Sequence, residues 1–124
     1  MRDVVMTAVR PLLLGGGRVA RETAVRFFME YRVFSVLLDR KRPLFSLFTS
    51  FTQLPDTRSD EFLLMSLERL GDELSDVTCL VIPCNEEFEA FVKRNRERLE
   101  TRFILRSPEL ACEVCPVKGS VRKD

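Results

Sequence analysis

A short apolar run, Leu12-Leu13-Leu14, passes directly into Gly15-Gly16-Gly17 and then into Arg18-Val19-Ala20, the start of an amphipathic helical pattern. This junction narrows the choice of folds more than any other stretch. Glycine has no Cβ, so the chain can take φ > 0 and reverse tightly between a strand and a helix. The helix that follows adds unpaired N–H donors and the positive end of its dipole, a setting that suits an anion. Three uses fit such a loop: a dinucleotide cradle, an edge for a substrate carboxylate, or a tight turn with no ligand.

The rest of the chain repeats the same alternation. Short apolar runs at Pro11 to Leu14, Val33 to Leu38, Ser50 to Leu54, Cys79 to Ile82 and Phe103 to Leu105 read as strands. Between the first two, Ala20, Ala24, Phe27, Phe28 and Tyr31 recur at helical spacing, with Arg21, Glu22, Arg26 and Glu30 on the other side. A second helix follows Pro55-Asp56-Thr57-Arg58-Ser59-Asp60, with Leu63, Leu67, Leu70 and Leu74 as its stripe and Gly71 as a weak point. A third begins after Asn85, a good N-cap, and its stripe of Phe88, Phe91, Val92 and Leu99 predicts one helix across that span. Its outer face, Lys93-Arg94-Asn95-Arg96-Glu97-Arg98, reads as a solvated basic surface. Strands alternating with helices predict an α/β domain built on a parallel sheet. Glu109 to Cys115 has room for one or two helical turns, and the polar stretch Val117 to Asp124 is expected to fray.

Composition removes several classes of function. The chain has 124 residues, 45% of them hydrophobic and 31% charged, which suits one ordinary domain. Its net charge of +1 supplies no global basic field for nucleic acid. No apolar stretch approaches the roughly 20 residues of a membrane span, and the first residues lack a secretory apolar region, so a cytoplasmic location is expected. Histidine is absent, which excludes histidine-based triads and mixed Cys/His zinc sites. Of the four cysteines, Cys112 and Cys115 form a C-x-x-C, but Cys79 and Cys84 are badly spaced to complete a zinc finger. Idle thiols are the expectation, with no metal site.

Several residues are candidates for chemistry. Gly15-Gly16-Gly17-Arg18-Val19-Ala20 satisfies the G-x-G-x-x-G/A dinucleotide pattern, and Asp39 closes the second strand where a ribose-binding acid is expected. Arg40-Lys41-Arg42 beside it would favour a 2′-phosphate, while a solvated loop explains the same charges. Asn85, Glu86 and Glu87 follow the fourth strand at the carboxyl edge, where open α/β sheets place ligands. Acidic residues in a first helical turn are also favoured by the dipole alone, and that reading serves Glu87 at least as well.

Taken in order, LLLGGGRVARE, VLLDRKRPLF, LPDTRSDEFLL, VIPCNEEFEAFVKRNRERLE and FILRSPEL resemble the N-terminal pre-ATP-grasp domain of ATP-grasp carboxylate–amine ligases, especially the D-aspartate ligase-like group. The resemblance spans roughly Arg10 to Leu110. It implies a three-layer Rossmann-like domain over residues 1–110, with about five parallel strands in the order 3-2-1-4-5. Residues 111–124 would begin a linker to an ATP-grasp domain.

Ligases of this family activate a carboxylate with ATP and magnesium before an amine attacks it. By resemblance, Gly15, Gly16, Gly17, Asn85 and Glu86 would border the substrate, an amino acid or another small carboxylate. Lys118 would take the place of a family lysine that reaches ATP phosphates, while Asp39 and Arg40 are cofactor-side candidates from the dinucleotide pattern itself. The 124 residues have no room for the ATP-grasp domain, so the chain is expected to be inactive alone and to bind neither ATP nor magnesium tightly. Its partner would be that domain, in cis or in trans. Two other readings compete: a small nucleotide- or dinucleotide-binding Rossmann domain, and a non-catalytic interaction module. In the last, an apolar face left without its partner would make the chain a homodimer. Neither nucleic acid nor membrane is expected as a partner.

Overall fold

A computed structural model of the chain describes residues 9–43, 47–56 and 59–111. Cys112, Cys115, Lys118 and the polar stretch to Asp124 lie outside the described residues, as do Thr57 and Arg58. The elements run β1 (Val9–Leu14), α1 (Arg18–Tyr31), β2 (Ser35–Asp39), β3 (Thr49–Gln53), α2 (Asp60–Glu73), β4 (Thr78–Pro83), α3 (Glu86–Arg94), α4 (Arg96–Glu100), β5 (Ile104–Leu105) and α5 (Pro108–Ala111). The five strands form one sheet in the order β3-β2-β1-β4-β5, every neighbouring pair parallel. This is the α/β architecture and strand order expected above.

The pattern of residues explains the layers. Central β1 and β4 are covered on both faces, which is why they read as nearly continuous apolar runs. Side chains alternate across the sheet. Leu12, Leu14, Val36, Leu38 and Val81 pack on one face with Leu63, Leu67, Phe88, Phe91 and Leu99 of α2, α3 and α4. Leu13, Leu37, Leu80 and Ile82 pack on the other with Ala20, Ala24 and Phe27 of α1. The helix changes sides because the path reverses. From β1 the sheet grows outward through β2 and β3, then returns to β4 on the far side of β1. A crossover of constant hand puts helices of opposite travel on opposite faces.

Two local features depart from the sequence pattern, and a third accounts for one of its weak points. β2 begins at Ser35 and not Val33, because Arg32 takes a left-handed conformation (φ 56°) that ends α1, its N–H donating to the Phe28 carbonyl. Phe34 then turns edge-on to the Phe28 ring, 5.6 Å between centroids, and Phe28 stacks on Phe48 at 4.0 Å. The predicted third helix is two helices. Asn95 (φ −119°, ψ 24°) interrupts it, and its side-chain amide donates both to the Phe91 carbonyl and to Asp60 of α2. Gly71, the weak point of α2, is where that helix passes close to Phe103: a Cβ there would lie 3.2 Å from the ring.

The basic face of the third helical pattern is also more than a solvated surface. Arg94 forms a two-pronged ion pair with Asp60, both contacts 2.9 Å. Arg98 reaches Glu61 and Glu68 at 2.9 Å, and Arg102 reaches Asp72. These contacts join α2 to α3, α4 and the turn after α4 along one seam.

Candidate functional site at the carboxyl edge

The glycine loop is built by three different constraints. Gly15 is buried, with φ +98°, and its N–H donates to the Leu38 carbonyl at 2.8 Å. A Cβ on Gly15 would run into the Asn85 side-chain amide and come within 3.1 Å of the Phe88 ring. Gly16 donates its N–H to Asp39 Oδ2 at 2.7 Å. Gly17 takes φ 127°, ψ −166°, a region open in practice to glycine alone, although none of the described residues lies within 4 Å of where its Cβ would be. The loop is therefore closed at Gly15, tied at Gly16 and open at Gly17. As the N-cap of α1, Gly17 provides no side-chain acceptor for the first-turn amides.

Across the β1–β4 junction, Cys84 donates its backbone N–H to the Leu14 carbonyl at 2.9 Å, which draws the β4 turn onto the glycine loop. Asn85 then caps α3, its Oδ1 accepting the Phe88 N–H at 2.9 Å. Glu86 and Glu87 stand exposed in the first turn of α3. The structure thus brings Gly15 and Asn85 into contact and places Glu86 at the adjoining rim.

Asp39 and Arg40 close the third side. Both Asp39 oxygens accept backbone N–H groups, Oδ2 from Gly16 and Oδ1 from Arg40 at 2.7 Å. Arg40 turns back across the edge to Glu87, 2.8 Å away, with its guanidinium 5.5 Å from the centre of the Phe88 ring. Arg40 is largely covered, with 20% of its side chain exposed, while Glu87 remains exposed at the rim. The Arg40–Glu87 pair escaped sequence reading, which had no means of matching two loops so far apart.

Between the glycine loop and the β2 turn lies an open cleft of about 520 Å³, lined by Gly16, Gly17, Arg18, Arg21, Asp39, Lys41, Arg42 and Pro43. Arg40 is not among its lining residues. Arg18 and Arg21 were also missed as site residues, although their i, i+3 spacing just after the glycines places both on one side of α1.

The two described cysteines are buried thiols. Burial pushes the Cys84 thiol up to about 12, with the Glu89 charge adding to the effect, and burial also raises Cys79. Neither is a ready nucleophile at neutral pH. Among the described residues no three His, Cys, Asp or Glu side chains gather into a set that could hold a metal ion. No described helix is long and apolar enough to cross a membrane. Comparison with protein-family models, curated proteins and solved structures finds no match to the chain.

Proposed function

We propose that this chain is the N-terminal, substrate-side domain of an ATP-dependent carboxylate–amine ligase of the ATP-grasp class. The supporting observation is the contact of the glycine loop with the Asn85 turn at the junction of β1 and β4, where the strand order reverses. Ligands of open α/β sheets bind at that point. The ordered resemblance of five segments supplies the class of chemistry.

In this reading Gly15, Gly16, Gly17, Asn85 and Glu86 border an amino acid or other small carboxylate. Asp39 and Arg40 lie toward the nucleotide. ATP and magnesium belong chiefly to an ATP-grasp domain acting in cis or in trans, and the protein works in the cytoplasm, where ATP is available. Here the domain's own task is to bind and orient substrate, with the acidic side chain of Glu86 suited to an amine or hydroxyl. These 124 residues alone release no ADP.

One observation favours a second reading, a small nucleotide- or dinucleotide-binding domain: Asp39 ends β2 and bonds to the middle glycine. Titrating the purified chain with amino acids, ATP, NAD and NADP separates the two. The ligase reading expects amide resonances of Gly15 to Gly17, Asn85 and Glu86 to move with small carboxylates in the millimolar range or tighter. Tight dinucleotide binding lost in Arg40→Ala, or substrate-dependent ADP release by the chain alone, would sink it.

A further inference from the structure

The cleft on the open side of the glycine loop has a composition that the chain as a whole does not share. Four cationic side chains line it, Arg18 and Arg21 from the first turn of α1 and Lys41 and Arg42 from the turn after β2, in a molecule whose net charge is only +1. The one carboxylate among the described lining residues, Asp39, already accepts two backbone N–H groups. Arg18 also contacts Glu22 at 3.1 Å, an exposed helical pair that solvent weakens, and Arg42 lies over the Phe51 ring. The four cations come from the first turn of α1 and the turn after β2, so like charges gather at one cleft whose described lining holds a single carboxylate.

The cleft is also distinct in shape from the Asn85 side of the loop. At Gly15 the backbone is covered by Asn85 and Phe88, whereas the open flank of Gly17 forms part of the cleft wall. Guanidinium groups favour phosphate through paired, planar donors, and a lysine adds a compact charge. A single carboxylate needs no such set.

We propose that this cleft binds the phosphate group of a small molecule, and, resting on the ligase reading, that the ligase's carboxylate substrate is itself phosphorylated. The phosphate sits among Arg18, Arg21, Lys41 and Arg42, and the rest of the substrate extends along the loop toward Asn85.

The test titrates the full chain at low ionic strength with 3-phosphoglycerate, glycerate, NADP and NAD, following amide resonances and heat. The expected result is that 3-phosphoglycerate binds at least tenfold tighter than glycerate, moving Gly16, Gly17 and Arg21. The double variant Arg21→Ala/Lys41→Ala should lose at least tenfold of that affinity, while Lys93→Ala/Arg96→Ala on the far surface changes it less than twofold. All four positions are exposed, and matching melting curves confirm that the variants fold. Preference for NADP over NAD at these residues, with 3-phosphoglycerate no better than glycerate, would uphold the phosphate cleft and overturn the ligase reading. Phosphate-bearing and phosphate-free ligands binding alike, or binding that ignores the double variant, would overturn the cleft and leave the ligase reading standing.

Discussion

Two regions of this molecule are rich in arginine and lysine, and they have opposite fates. Within Lys93 to Arg98, two of the cations reach α2, where Asp60, Glu61 and Glu68 take up Arg94 and Arg98. Around the glycine loop, Arg18, Arg21, Lys41 and Arg42 line a cleft in which the one carboxylate among the described residues is already engaged by the backbone. A basic run therefore acquires its meaning from the element opposite. The first region ties helices together through Arg94 and Arg98, while the second gathers its cations at a surface shaped by glycines.

The largest effect that could break this contrast lies in the loop geometry. Gly15→Ala combines a strained positive φ with a collision against Asn85, and should destabilise the domain by about 2–5 kcal/mol. Denaturant unfolding would measure it, and a loss below about 1 kcal/mol would mean that the loop is not fixed as described. Gly17→Ala suffers backbone strain alone and should cost about 1–3 kcal/mol. Asn85→Ala removes the cap of α3 and should cost about 1 kcal/mol.

Acid separates the two basic regions more directly. Hydrogen bonds from Arg94 and Asn95 hold the Asp60 carboxyl below its usual value, and a hydrogen bond from Arg98 does the same for Glu68. Because both folded-state values are depressed, their contribution is complete above the unfolded values, near pH 4, and is lost as pH falls through the folded ones. Melting curves from pH 7 down to pH 3 should fall less steeply in Asp60→Asn/Glu68→Gln than in the parent chain. The smallest effects come from single cations. Arg98→Ala should lower the melting temperature, whereas Lys41→Ala should leave stability within about 0.5 kcal/mol, since an exposed cation among other cations has little to lose. Equal losses from the two would erase the distinction.

The sheet was legible because its central strands are buried on both faces and announce themselves as apolar runs, and because Gly15 to Gly17 mark the first turn. The break at Asn95 was not. Phe88, Phe91, Val92 and Leu99 all face the core on either side of it, so the apolar stripe continues while the backbone does not. What stops the helix is a bond from the Asn95 side chain to Asp60 on another element, a tertiary effect that local periodicity does not carry. At the site, the glycines, Asp39 and Asn85 stood out by residue type and position. The cleft needed Arg18 and Arg21 to be set beside Lys41 and Arg42, and that juxtaposition exists only once β1 and β2 have paired.

Asp39 and Arg40 share a peptide bond, yet one holds the loop after β1 and the other reaches the helix after β4. They act as a bracket across three strands. Substitutions at Gly16 and Glu87 should consequently fail to add, each altering what the other is worth through a dipeptide that neither replaces. A variant of Asp39 that weakens a ligand would report a slackened bracket as readily as a lost contact.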